Sequence, residues 1–305
     1  MKRAIVFIIS CLLFGAVASA QSPKVIEKDF ERFSIVKVQD DFVVKLVNGG
    51  RYSVQVNVDE RIAAHVQSYV KNETLYLILD EKGFTKELKK ELNKKGAARP
   101  ILEATVYMPE VKSLILTENS KLVASEALTS ENFTLTATDN AKIHQLKVSC
   151  ATADINVSRS AELSAELNVA SKLYFSSLNS AKANLTQNGG NTFIEMDGSS
   201  SVNMKATVQS FDVIADSGAE ANISGTASLL SVNASGHSKV DVELLEAMEG
   251  QFTQTGSSKC YSNVSNKMKV NLTGGATLTY KRTPAIEVDR IIGSTFIKAD
   301  DPKRK

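Results

Sequence analysis

From residue 118 onward a short group of polar, small and apolar residues keeps returning. Glu118-Asn119-Ser120-Lys121-Leu122 is followed by Asp139-Asn140-Ala141-Lys142-Ile143, and related groups run on to Gly293-Ser294-Thr295-Phe296. The central small residues stand at 120, 141, 161, 181, 200, 219, 238, 258, 276 and 294, a period of about nineteen residues. Six residues before these anchors stand Leu114, Leu135, Ile155, Phe175, Ile194, Val213, Val232, Phe252, Val270 and Val288. Two residues after them stand Leu122, Ile143, Leu163, Ala183, Val202, Ala221, Val240, Cys260, Leu278 and Phe296. In a chain that is 43% apolar, twenty apolar residues at twenty such positions are a structural constraint.

The neighbours of these columns alternate. Lys142, Glu162, Lys182, Glu220 and Lys239 occupy the position after the anchor, while Leu185, Met204, Ile223 and Val242 return to the apolar set four after it. A period of two belongs to strands with one face buried. Each repeat therefore reads as two short strands joined by a Ser/Asn/Asp/Gly turn, whose residues supply local hydrogen bonds and left-handed backbone. One such unit cannot bury its apolar side alone, but coils stacked ~4.8 Å apart can. The expected fold is all-β, a β-solenoid (parallel β-helix) of about ten ~19-residue rungs over 111–298, roughly 45–50 Å long on that spacing. Helical repeats need ~33–47 residues per unit and a 3.6 period, and neither is present.

Residues 21–110 lack the repeat and alternate instead, as in Phe33-Ser34-Ile35-Val36-Lys37-Val38 and Tyr52-Ser53-Val54-Gln55-Val56. They predict an antiparallel β unit, with Asn48-Gly49-Gly50 as a hairpin turn, that caps the first rung against edge pairing. A Lys-rich insertion over 81–99 carries seven basic and three acidic residues. Its Lys86–Lys95 stretch predicts a helix with Glu87 near Lys90 and Glu91 near Lys95. Residues 299–305 form a charged tail.

The first twenty residues read as an address. Lys2 and Arg3 precede an apolar run, and Ala18-Ser19-Ala20 is a small-x-small cleavage site, so 1–20 is expected to be a secretory signal peptide. A competing reading takes Ile8-Ile9-Ser10-Cys11 as a lipobox that lipidates Cys11, with only six apolar residues before it. Removal of Lys2 and Arg3 leaves 34 basic and 34 acidic residues. A mature chain of zero formal charge is not drawn to nucleic acid or anionic membranes. No later segment reaches the ~20 apolar residues of a membrane helix. Two cysteines remain, Cys150 and Cys260. Exported proteins often pair them, but more than five rungs separate these two, far beyond the ~7 Å Cα reach of a disulfide. Two free thiols are expected, with Cys260 in the core.

Phe30-Glu31-Arg32-Phe33, Val43-Val44-Lys45-Leu46-Val47-Asn48-Gly49-Gly50, Val66-Gln67-Ser68-Tyr69-Val70 and Ala104-Thr105-Val106-Tyr107-Met108-Pro109, followed by the stacked turns, resemble the head-GIN-domain family named for autotransporter adhesins. The resemblance spans nearly the whole mature chain. It implies a secreted β-solenoid of the kind frequent in Bacteroidota, with an adhesive role and no catalytic residues. The early turns here, such as Ser158-Arg159-Ser160, depart from the Gly-rich form of that family, and the Lys-rich insertion is additional.

Solenoids also host polysaccharide-active enzymes, which need positioned catalytic groups. His65, His144 and His237 lack partners at metal-ligand spacing, and no Gly-x-Ser-x-Gly elbow or phosphate-cradling loop occurs. No cofactor is expected. Asp197 and Asp216, each three before its anchor on consecutive rungs and with Glu195 and Asp212 nearby, present either a cation site or two Asx turns. Asn184, Asn203, Asn222 and Asp241, each three after its anchor at a spacing of 19, form an outward ladder. Such a stripe binds a glycan or protein edge, or hydrogen-bonds along its own stack. Tyr174, Phe193 and Tyr261 occupy polar columns without an expected alignment in successive rungs. The leading expectation is a non-catalytic exported binding protein, an adhesin whose partner is a surface glycan or protein. An envelope scaffold comes second and a polysaccharide-active enzyme third.

Overall fold

The computed structural model describes residues 23–124 and 126–299. The expected leader, its alternative at Cys11 and most of the charged tail lie outside the described residues. The N-terminal part contains β1 (Pro23–Asp29), β2 (Ile35–Val38), β3 (Val43–Asn48), β4 (Ser53–Asp59), β5 (Val66–Lys71), β6 (Thr74–Leu79), helix α1 (Lys86–Leu92) and β7 (Leu102–Met108). Then follow β8 (Ser113–Leu116), β9 (Lys121–Ala124), β10 (Leu128–Ala137), β11 (Lys142–Arg159), β12 (Glu162–Asn179), β13 (Lys182–Asn188) and β14 (Asn191–Met196). The chain continues through β15 (Ser201–Ala215), β16 (Glu220–Ala234), β17 (Lys239–Gln254), β18 (Lys259–Thr273), β19 (Thr277–Lys281), β20 (Ala285–Ile292) and β21 (Thr295–Lys298).

From β8 onward every strand pair is parallel, and the long strands bend so that each half pairs on a different face. The ten anchors delimit a parallel β-solenoid of about nine turns. The register follows the repeat. Leu135 faces Ile155, Ile155 faces Phe175, Phe175 faces Ile194, and Ile194 faces Val213. Nine of the ten residues six before an anchor are at most 1% exposed; the exception, Val288, lies on the last turn. Full burial of side chains this size stabilises by ~1.5–3 kcal/mol each, so this column is a large contributor to the solenoid's cohesion.

Two regularities explain the turn chemistry. The anchor itself points inward at a tight corner, and Ser120, Ala141, Ala161, Ala181, Ser200, Ala219, Ser238, Ser258 and Ala276 are all essentially inaccessible. Only Ala or Ser fits there, and the Ser120, Ser238 and Ser258 hydroxyls donate to the carbonyl three residues earlier. Two residues before the anchor the backbone is left-handed at every turn from Glu118 (φ 62°) through Asp139, Arg159, Asn179, Gly198, Ser217, Gly236 and Gly256 to Gly274 (φ 77°). From Glu118 to Gly256 each left-handed residue offers its carbonyl to the N–H that follows the left-handed residue above it, as in Ser160 N–H to Asp139 O (2.8 Å) and His237 N–H to Ser217 O (2.6 Å). Non-glycine residues accept ~1–2 kcal/mol of strain in this conformation. The stacked carbonyl bonds hold them there.

The N-terminal cap is antiparallel at its outer edge, where β1 pairs with β4, β4 with β7, and β5 with β6. Its inner strands run parallel to the stack. β2 lies between β6 and β8, and β3 between β7 and β9. The expected hairpin at Asn48-Gly49-Gly50 does not form, because β7 is inserted between β3 and β4 and pairs with both. Local turn chemistry is outweighed here by a long-range strand. The Lys-rich insertion packs Phe84, Leu88 and Leu92 against the core. Thr85 caps its helix by accepting the Leu88 N–H (3.2 Å). The helix ends at Leu92, so Glu91 does not meet Lys95 as expected but pairs with Arg61 (2.9 Å), which also clamps the buried Asp59. Cys150 and Cys260 are separate, buried thiols.

Candidate functional site

The solenoid has two sheet faces. On the face built from the residues after each anchor lies a groove of about 880 Å³. Its lining follows from strand alternation. Residues three after the anchor point out as Ser164, Asn184, Asn203 and Asn222. Those four after, Ala165, Leu185 and Met204, turn into the core beneath the groove, and Lys147, Glu166, Thr186, Lys205 and Ser224 point out again. Three of the four predicted ladder residues thus line one concavity. The Asn203 amide N–H donates to Asn184 Oδ1 (3.1 Å), and the Asn222 amide donates to Asn203 Oδ1 (3.2 Å). Asp241 continues the register beside Asn222, but its carboxylate accepts the Glu243 N–H (3.1 Å) and does not line the groove.

Bulges flank the turns of the ladder. On one side β11 carries an extra residue, with Gln145 left-handed (φ 54°) and a register shift between Ile143 and Leu146. On the other, β17 shifts register beyond Asn222, and its Glu243–Glu246 stretch leaves the ladder to β18 with Leu245 still buried, held by Glu243–Lys281 and Glu246–Arg282 (2.9 Å for the latter). Turn length alone does not mark these bulges, because the turns opening at anchors 141, 161 and 238 all have 20 residues, against 19 for those opening at 181, 200 and 219. The second outward column, five after the anchor, was not singled out in the sequence. Its residue types vary from turn to turn. Lys147 pairs with Glu166 (3.1 Å), and the groove carries Lys147 and Lys205 against Glu126 and Glu166, a formal balance of zero.

Asp197 and Asp216 sit on successive turns. Asp197 Oδ1 accepts from the Gly198 N–H (2.6 Å) and the Ser217 hydroxyl (2.7 Å). Asp216 Oδ1 accepts from the Ser217 N–H (2.5 Å) and the Ser235 hydroxyl (2.6 Å). The Ser235 hydroxyl, followed by the Ser217 N–H, holds the Asp216 carboxyl below the usual range. Both acids act as staples between turns through these bonds. Among the described residues no group of three or more His, Cys, Asp or Glu side chains converges as a metal site.

Tyr174 and Phe193, not expected to align, do stand in register on adjacent turns of the opposite face and stack at 5.1 Å and 9°. Their faces meet each other, so they offer edges and not a platform to solvent. The Tyr174 hydroxyl donates to Glu195 Oε2 (2.5 Å), and that bond raises its pKa.

Fold and groove define a two-faced parallel β-solenoid with a polar, amide-laddered trough on its outer surface. The chain belongs to the family described as "Putative auto-transporter adhesin, head GIN domain", whose profile matches residues 32–172 and again 170–284. The junction falls inside β12, where stacking is continuous, so the two matches share one solenoid. Among solved structures, a "putative adhesin" from Parabacteroides merdae aligns at a TM-score of 0.49 and 17% identity, over 91% of this chain and 96% of that one. A "putative adhesin" from Parabacteroides distasonis aligns at 0.47 and 17%, over 91% and 97%. A "Putative lipid binding protein" from the same species aligns at 0.46 and 13%, over 91% and 97%. No curated protein matches the chain.

Proposed function

We propose that this chain is an exported, non-catalytic binding protein of adhesin type that works at the cell surface and recognises its partner with the groove face of the solenoid. The observation that carries this reading is the groove itself. It is a long concavity of about 880 Å³, and hydrogen-bonding side chains repeat along it at strand spacing. The family described above and the signal-like leader support export and adhesion. The groove contains no histidine, cysteine or aspartate, and its two glutamates stand on variable outward columns, one of them paired to lysine. That composition suits recognition better than acid–base chemistry, which requires positioned groups with tuned pKa values.

Protease added to intact producing cells tests the surface role. Digestion of the mature chain without lysis is the expected result. Protection that ends only when the outer membrane is opened would sink the adhesin reading and favour an envelope scaffold.

A further inference from the structure

We propose that the groove takes a linear, uncharged polysaccharide lying along the solenoid axis, one sugar residue to each turn. This rests on the binding role proposed above and names its ligand class. The argument begins with the amide ladder. An asparagine side chain has two N–H donors and a carbonyl oxygen with two lone pairs. In the stack Asn203 spends one donor on Asn184 and one lone pair on Asn222. One N–H and one lone pair are left over, and Asn184 and Asn222 have at least as much in reserve. The groove therefore presents a donor and an acceptor together, repeated at the strand spacing of ~4.8 Å.

That period selects the ligand. One pyranose ring with its glycosidic oxygen is close to this length, and every sugar residue carries hydroxyls that both donate and accept. An extended peptide advances ~3.3 Å per residue and falls out of step within two turns. The outward column five after the anchor adds the Thr186 and Ser224 hydroxyls beside the ladder, and Ser164 extends it. Between the columns the Ala165, Leu185 and Met204 side chains point into the core, so the surface that meets the ligand is the polar one of the ladder and its neighbouring hydroxyls. The charges of Lys147, Lys205, Glu126 and Glu166 cancel, so the groove gives no net attraction to a polyanion. Its lining covers six successive turns, from Glu126–Ala127 to Asn222–Ser224, with the amide ladder on the last three and the register shift of β17 just beyond.

The test is calorimetric titration of the mature chain with cello-, xylo- and manno-oligosaccharides of two to eight residues. In at least one series the affinity should rise with each added sugar up to about six and then stay level. Asn203→Leu should lower it at least tenfold with the melting temperature unchanged. Asn233→Leu, on the opposite face, should leave it unaltered. Absence of binding in all three series, affinity independent of length, tighter binding of a heparin oligosaccharide, or an Asn203→Leu chain that binds like the parent would each overturn the proposal. The protease experiment uses no sugar, so the surface role stands or falls separately.

Discussion

Asp40 should make the protein less stable as the pH rises, and replacing it should remove that weakness. Asp40 is left-handed (φ 62°) in the turn between β2 and β3, directly beneath Glu118 of the next turn. Its Oδ2 accepts the Leu79 N–H (2.8 Å), and its own N–H donates to Glu118 Oε2 (3.0 Å). Burial raises its pKa from 3.8 to about 7; the Leu79 bond opposes this, and Glu118 and Glu81 add to it. In the unfolded chain the carboxyl ionises near 3.8, so between that pH and 7 the fold holds a proton that the unfolded chain has lost. The residue's contribution to stability therefore declines as pH climbs from about 4 to about 7 and is constant above. A gap of about 3 pH units at 1.36 kcal/mol each sets a ceiling of ~4 kcal/mol. Because the site is half-exposed and screened by water, ~1–2 kcal/mol is the expected size. Asp40→Asn keeps an acceptor for Leu79, and asparagine tolerates the left-handed backbone. Urea denaturation at pH 4, 6 and 8 should find the variant equal to the parent at the lowest pH and ~1–2 kcal/mol more stable at the highest. A difference that does not change with pH, or a variant weaker at pH 8, would refute the reasoning.

Gly225 (φ 116°) lies so close to the turn below that an added Cβ would sit 1.9 Å from Ala206 O, so Gly225→Ala should cost about 2–5 kcal/mol from strain and overpacking. Gly218→Ala, 3.3 Å from Gly198 O at an ordinary φ, should cost under ~1 kcal/mol, and chemical denaturation of the pair measures the contrast. Arg61→Met leaves the Asp59 carboxylate buried without its partner and should destabilise by about 3 kcal/mol. The Arg61 bond holds the Asp59 pKa below 3.8, so its stabilisation is present above that pH and fades as pH falls through the lowered value. The variant should lose the corresponding acid-dependent step in a pH series. In a chain beginning at Gln21, Cys150 and Cys260 should resist a thiol reagent in the native state, because both are buried and burial raises both pKa values, and react two per chain in urea; one or no reactive thiol on unfolding would contradict the free-thiol assignment.

The solenoid was legible because its cause is periodic. Columns such as Leu114 to Val270 must be apolar in every turn, and the anchors must be small because they fill an interior corner. The ladder was legible for the same reason, since Asn184, Asn203 and Asn222 repeat at 19 residues. What escaped notice is what local pattern does not encode. The Asn48-Gly50 turn has hairpin chemistry, but β7, about fifty residues later, takes the place of the hairpin partner. Asp241 keeps the period, yet the bulge of β17 turns its carboxylate to its own backbone. The bulges of β11 and β17 beside the ladder also escape the pattern, because the turn opening at anchor 161 has the same 20 residues as theirs. Leu88 and Leu92 carry the function of the Lys-rich insertion in the fold, and a count of its charges hides them.

Cell adhesion mediated by the groove face is the central claim, and a paired surface substitution tests it most directly. Producing cells would carry either Asn203→Arg, which fills the trough with a long charged side chain, or Asn233→Arg on the opposite face, with equal surface levels and equal melting temperatures established for the two chains. Attachment of these cells to a surface coated with neutral polysaccharide should be lost for Asn203→Arg and retained for Asn233→Arg. Equal attachment by both, or loss with Asn233→Arg alone, would contradict the account.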